Sequence, residues 1–194
     1  MKKIALLLCV TSGIMFSSFS CNKEKDKDPT PTPSSPYYFT ANYDGKTIDF
    51  KSSEPQYKFI EVGMSGGFQT PSPTVLYPSI ELYFQFRNPP TDADIKKLEG
   101  KTIGYYFYSS SDSVVAHLNY EESFDSETQF ADQSEDNAYG VTINKVTFVK
   151  STTSIGIPID VYEINGTCRA KMGDLNKPLE NGKFNMLIAR RTDQ

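Results

Sequence analysis

The chain has 194 residues, with 20 Lys and Arg against 24 Asp and Glu, one His, and a formal charge of −4. That length suits one ordinary domain with a leader and a tether. Its 12 Tyr and 13 Phe without any Trp favour strands over helices. Two of the basic residues, Lys2 and Lys3, and no acid lie in the first 20 residues, so the remainder carries −6. Such a surface is repelled by phosphate backbones, which argues against nucleic acid as a partner.

Met1-Lys2-Lys3, the apolar run from Ile4 to Val10 and the small-residue stretch through Ser20 have the layout of a secretory leader. The apolar run is too short to span a bilayer. Ser18-Phe19-Ser20-Cys21 resembles a lipobox, whose cysteine is acylated and becomes the new N-terminus. Ser18 stands where Leu is usual, and Phe19 where a small residue is usual. An ordinary secreted protein with a cysteine near its cleavage point is the competing reading. Residues 21–36 favour the lipoprotein, because Asn22–Asp28 is hydrophilic and Pro29–Pro36 alternates proline with Thr and Ser. A proline-rich tether is extended, at about 3 Å per residue, and holds a domain off a membrane. The predicted partner here is the membrane itself, reached through lipid on Cys21.

From Tyr37 to Gln194 the sequence reads as one domain without internal repeats. Phe39, Ala41 and Tyr43 alternate with polar residues, Asp44-Gly45 gives a tight hairpin turn, and Ile48 and Phe50 follow on the return. A strand is expected at about 57–62, then a long surface loop over 64–78, rich in Gly, Pro, Ser and Thr. Ile80, Leu82, Phe84 and Phe86 alternate with Glu81, Tyr83, Gln85 and Arg87, the clearest strand of the chain. Thr91 is placed to cap a short helix, with Asp92 and Asp94 in its first turn, Ile95 and Leu98 as its apolar stripe and Gly100 as its stop. Further strands are expected near 102–108, 113–120, 139–150, 156–172 and 182–191. Val141 and Ile143 change phase against Val146 and Phe148, which predicts a bulge near Asn144-Lys145. Ile157, Ile159 and Val161 hand over similarly to Tyr162, Ile164, Cys168 and Ala170, which predicts a kink. The fold class is all-β: an antiparallel sandwich, barrel-like in the alternative, with one short helix.

Cysteine usage excludes a disulfide framework: Cys9 lies in the leader and Cys21 at the cleavage point, leaving Cys168 alone in the domain. Cys168 reads as a small buried hydrophobe. His117 falls on the polar face of Val114–Leu118, as a solvated strand histidine; a base role would need a nucleophile motif, and no serine carries one. Glu121, Glu122, Asp125, Asp132, Glu135 and Asp136 belong to a stretch without Lys or Arg, the oxygen-rich chemistry of calcium binding. Their spacing does not match an EF-hand, and a solvated acidic loop is the plainer reading. No cofactor motif is found. Tyr105, Tyr106, Phe107 and Tyr108 are consecutive, so with Ile103, Tyr105 and Phe107 inward, Tyr106 and Tyr108 face solvent. Tyr83 lies on the polar face of its strand, and exposed tyrosines of this kind stack on sugar rings, or simply pack across strands. Asn165-Gly166-Thr167 reads as a turn. Asp112-Ser113-Val114 resembles an O-glycosylation pattern at Ser113.

The leader, Phe39–Lys46, Ile164–Thr167 and Asn181–Asn185 together resemble small β-sandwich lipoproteins of Bacteroidota grouped as domains of unknown function. The resemblance implies an outer-membrane lipoprotein, more often at the cell surface than on the periplasmic leaflet, and no catalytic residue. Lys23–Asp28 resembles the charged export signal that follows the cysteine in that phylum, although its charges alternate. The function expected is a non-catalytic module that binds a glycan or another envelope component. The alternative is an accessory subunit of an envelope complex. A hydrolase is disfavoured, because no acid and base pair is identifiable.

Overall fold

The computed structural model describes residues 36–53, 55–60, 63–69, 77–106, 111–123, 126–131 and 138–194. Strands β1 (Tyr37–Tyr43) and β2 (Lys46–Ser52) form the expected hairpin, with Asp44 at φ 47° and Gly45 at φ 76° in its turn. Positive φ at both turn residues matches the twist of the flanking strands, and Asp and Gly both tolerate it. Phe39, Ala41, Tyr43, Ile48 and Phe50 enter the core from this hairpin.

The remaining strands are β3 (Gln56–Ile60), β4 (Gly63–Gln69), β5 (Ser79–Phe86), β6 (Thr102–Ile103), β7 (Val114–Glu121), β8 (Gln129–Phe130), β9 (Gly140–Ser154), β10 (Ile157–Met172) and β11 (Lys177–Arg191). They build one antiparallel sheet in the order β6-β9-β10-β11-β4-β5-β7-β8, with β1 also on β11 and β3 on β4. The sheet curls into a half-barrel. Its edges turn toward each other where Ala116 N–H donates to Gly104 O at 2.9 Å and Ala131 bridges Met172. The all-β antiparallel fold with one short helix is therefore the fold observed, in barrel-like form.

Several segments depart from the sequence reading, each for a packing reason. The segment predicted as loop from residue 64 begins with strand β4, and residues 70–76 lie outside the described residues. Its glycines are a packing requirement. A Cβ on Gly66 would collide with the Leu187 carbonyl oxygen, and one on Gly67 with that of Ile80. The strand expected over 102–108 ends at Ile103, because Gly104 turns the chain away from β9 toward β7. Asn165-Gly166-Thr167 is no turn. It lies in mid-β10, where a Cβ on Gly166 would meet Thr142 O and the Phe184 ring.

The bulge expected at Asn144-Lys145 is present: Lys145 pairs with Asn165 and Ile143 with Gly166, leaving Asn144 over. At the handover predicted in β10 the register with β9 shifts, between Val161 and Tyr162. β10 stays in step with β11 through Val161↔Ala189 and Tyr162↔Ile188, and the extra residue is Val149 on β9. What changes is which face is covered. Ile159, Val161, Leu187 and Ala189 form a small cluster outside the main core, closed over by Tyr37 and Tyr57.

Helix α1 (Asp92–Lys96) has the predicted capping box. Asp94 N–H donates to Thr91 Oγ1 at 3.3 Å and Thr91 N–H to Asp94 Oδ2 at 3.1 Å. Ile95 and Leu98 reach the core, and Gly100 at φ 75° ends the turn that follows. A polar network fastens the helix to the sheet. Arg190 bonds Asp160 Oδ2 (2.7 Å), Tyr162 Oη (3.2 Å) and Pro90 O (3.2 Å), while Tyr162 donates to Asp92 Oδ1 (3.0 Å). Burial pushes the Tyr162 hydroxyl up to about 12. The tyrosine therefore stays a neutral donor to Asp92 at physiological pH.

Gly66→Ala forces a methyl against the β11 backbone, which has no side-chain freedom with which to yield. The expected loss is about 3 kcal/mol, the upper range for overpacking. Urea unfolding of the variant checks this, and an unchanged midpoint contradicts the close approach of β4 to β11.

Candidate functional site

A cleft of about 1020 Å³ lies between α1 with its preceding loop, the start of β7 and the chain around β6. Each wall comes from a different part of the sequence. Asn88, Pro89 and Pro90 leave β5 toward the helix, Lys97 and Leu98 follow it, and Tyr106 and Tyr139 flank β6 and β9. Tyr105 is buried, so its neighbour Tyr106 is turned outward and is 46% exposed. This is the inside–outside alternation expected at these two positions, reached without a continuous strand. Tyr108 lies outside the described residues.

The cleft is polar at its rim. Arg87, Lys97, Lys101, Asp94 and Asp112 all line it. Lys97 Nζ pairs with Asp94 Oδ1 at 3.0 Å, and bonds from Thr91 and Lys97 hold that carboxyl down to about 2. Arg87 Nε donates to Asp112 O, and Arg87 N–H donates to Ser113 O at 3.0 Å, so the 112–113 loop is tied to the end of β5. Ser113 is exposed on the rim. Tyr139 carries Lys171 Nζ 4.9 Å and Arg169 Cζ 5.6 Å from its ring centroid, a cation–π arrangement at the far side of the cleft.

Tyr83 lies elsewhere, on the outer face of β5. Its ring stacks on His117, its cross-strand neighbour, with centroids 5.2 Å apart and planes 20° apart. His117 Nε2 is 3.1 Å from Gln85 Oε1, and burial holds the imidazole below its ordinary value. The histidine is thus half-buried in a side-chain stack instead of simply solvated. Next along this face a pocket of about 230 Å³ is lined by Glu81, Glu121, Asn119 and Thr128. Ser65 donates to Glu81 and Thr128 to Glu121.

Of the acidic candidates, Glu121 faces this pocket, whereas Glu122 is paired with Lys46 Nζ at 3.0 Å beside a separate cavity of about 530 Å³. Asp125, Asp132, Glu135 and Asp136 lie outside the described residues, as does Cys21. Among the described residues no three His, Cys, Asp or Glu side chains gather as a metal site. Cys168 is buried against Gly182, and burial pushes its thiol up to about 12. A protonated, inaccessible thiol is a packing group.

Sequence reasoning singled out Tyr83, Tyr106 and Ser113, and it missed Arg87, Lys97, Lys101 and Tyr139 as cleft residues. No periodicity links those four, because the curl of the sheet brings them together. Comparison with known protein families, curated proteins and solved structures finds no match for the chain.

His117 gives a pH signature. Its folded value lies below the unfolded 6.5, so the stability it contributes is complete above 6.5 and is lost as pH falls through the folded value. His117→Gln retains an amide for Gln85 but no titrating ring. Its urea midpoint should fall less than wild type between about pH 7.5 and about pH 5. Parallel declines would remove His117 as the cause.

Proposed function

We propose that the chain is a lipoprotein anchored in the outer membrane through Cys21, displayed more at the cell surface than on the periplasmic leaflet. Its β domain binds a glycan or another envelope component without transforming it. The anchor is supported by the leader, the cysteine and the proline-rich tether. Binding is supported by one observation above the others: Tyr106 stands 46% exposed in a cleft with a charged and hydroxylated rim. A tyrosine face takes the apolar side of a pyranose ring, and the rim supplies partners for its hydroxyls.

A screen of the purified protein against immobilised host and microbial polysaccharides tests this reading. One glycan class should bind, and Tyr106→Ala should weaken that binding about three- to tenfold, the loss of one aromatic stack. Absence of binding across the screen, or an unaffected Tyr106→Ala, counts against it.

A second reading is an accessory subunit of an envelope complex, recognised along a sheet edge. It is favoured by β9, which from Val146 to Ser154 has no second strand partner among the described residues and exposes Phe148 and Val149. The bulge at Val149 and the charge of Lys150 oppose strand addition there. For that reason the cleft takes precedence. A fixed partner crosslinked to β9 in intact membranes would reverse the order.

A further inference from the structure

Among the described residues, two hairpin turns place positive φ at both central residues. The β1–β2 turn uses Asp44-Gly45, the residue types such a turn favours. The β9–β10 turn puts Ile155 at φ 51° and Gly156 at φ 78°. A β-branched side chain is disfavoured in the left-handed region. Ile155 is also 97% exposed, so no packing within the domain offsets that cost. The ribbon carrying it projects from the sheet. β11 ends level with Ile159, Thr192 N–H donates to Pro158 O at 3.1 Å, and beyond that point β9 and β10 pair only with each other among the described residues.

The register gives this ribbon a direction. β1 runs antiparallel to β11, with Tyr43 against Leu179 and Tyr38 against Asn185. Followed backward to Pro36, the chain therefore heads the way β11 heads, toward the hairpin tip. Tyr38 is level with Asn165 across β11, ten residues before Ile155 is reached along β10 and its turn, roughly 33 Å of strand. The 15 residues from Cys21 to Ser35 span roughly 45 Å when extended, enough to let the tip meet the surface that holds the anchor.

We propose that the β9–β10 hairpin tip dips into the lipid bilayer that anchors the chain, with Ile155 as the inserted side chain. This rests on the lipid-anchor reading. Anchoring makes the contact intramolecular, so a single aliphatic side chain is sufficient where it would be far too weak for a free protein. Lys150, exposed on β9 opposite Val161 and just below the projecting ribbon, extends toward the headgroup phosphates. Seating the tip in the bilayer fixes how the half-barrel, and with it the cleft, is presented above the membrane.

The test uses the full lipidated chain carrying Ile155→Cys, labelled with an environment-sensitive fluorophore, in vesicles of phosphatidylethanolamine with a minority of phosphatidylglycerol. Cys168 is buried and does not label. Leu175→Cys, at a turn 80% exposed and at the other end of β10, is the reference position. The label at 155 should shift to the blue and be quenched by acyl-brominated lipid, while the label at 175 stays in water. A chain that floats with the vesicles but keeps the 155 label in water overturns the inference and leaves the anchor intact. So does a shift that appears only when other membrane proteins are present, which assigns the tip to a protein pocket. Failure to float overturns the anchor and the inference together. In parallel, Ile155→Asn should raise the melting temperature of the domain, since Asn suits the turn; a lower one would show that Ile155 serves the fold and would refute the proposal.

Discussion

One edge of β11 is divided between two strands: β1 takes it from Leu179 to Asn185, and β4 takes it at Ala189. The opposite edge is held along its whole length by β10. Where β1 leaves, β4 enters so close to β11 that Gly66 has no room for a side chain. That handover makes one sheet out of what would otherwise be two. It also exposes a strip of β10 and β11 on the outside, which Tyr37 and Tyr57 cover over Ile159, Val161, Leu187 and Ala189. Burying an aliphatic side chain of the size of Ile, Val or Leu stabilises by about 1.5–3 kcal/mol, as an upper figure. The junction is therefore packed on both faces, whereas most of the sheet is packed on one.

The cleft depends on this arrangement. Arg190 sits near the end of β11 and, through Asp160, Tyr162 and Pro90, holds the loop and helix that form one cleft wall. The side chains of Asp160 and Arg190 are each 14% exposed, so the pair keeps some water and its value is geometric more than energetic. The other wall follows from curl: Gly104 leaves β9 and reaches Ala116 of β7, which carries Tyr106 out beside the helix. The position of Tyr106 is thus set by the closure of the sheet.

Local patterns were legible wherever one face of a strand meets the core and the other meets solvent. β5 and the β1–β2 hairpin follow their alternation, and the Thr91 cap stands where its residue type placed it, whereas the helix ends at Lys96 and Gly100 closes only the turn after it. Failures occur where a backbone approaches another backbone. Gly66, Gly67 and Gly166 read as loop or turn residues, yet they lie in strands whose neighbours leave no space for a Cβ. The apparent phase change in β10 has a related cause, since the outer cover supplied by β1 and β3 cannot be read from β10 itself. Of the site, single tyrosines were visible as exposed aromatics, but the cleft gathers residues from Phe86 to Tyr139. Only the order of strands decides which of them meet.

The central claim is that β11, with its divided edge and its long pairing to β10, is the element on which the rest is assembled. Native-state hydrogen exchange of the folded protein tests it directly, because amides that open only on global unfolding exchange last. The slowest amides should lie in β10 between about Tyr162 and Ala170, where it is held between β9 and β11, and in β11 between about Leu179 and Ala189, where it is held between β10 and, in turn, β1 and β4. Exchange that is slowest in β5 and β7, with β11 opening earlier, would contradict it and move the organising element to the other side of the half-barrel.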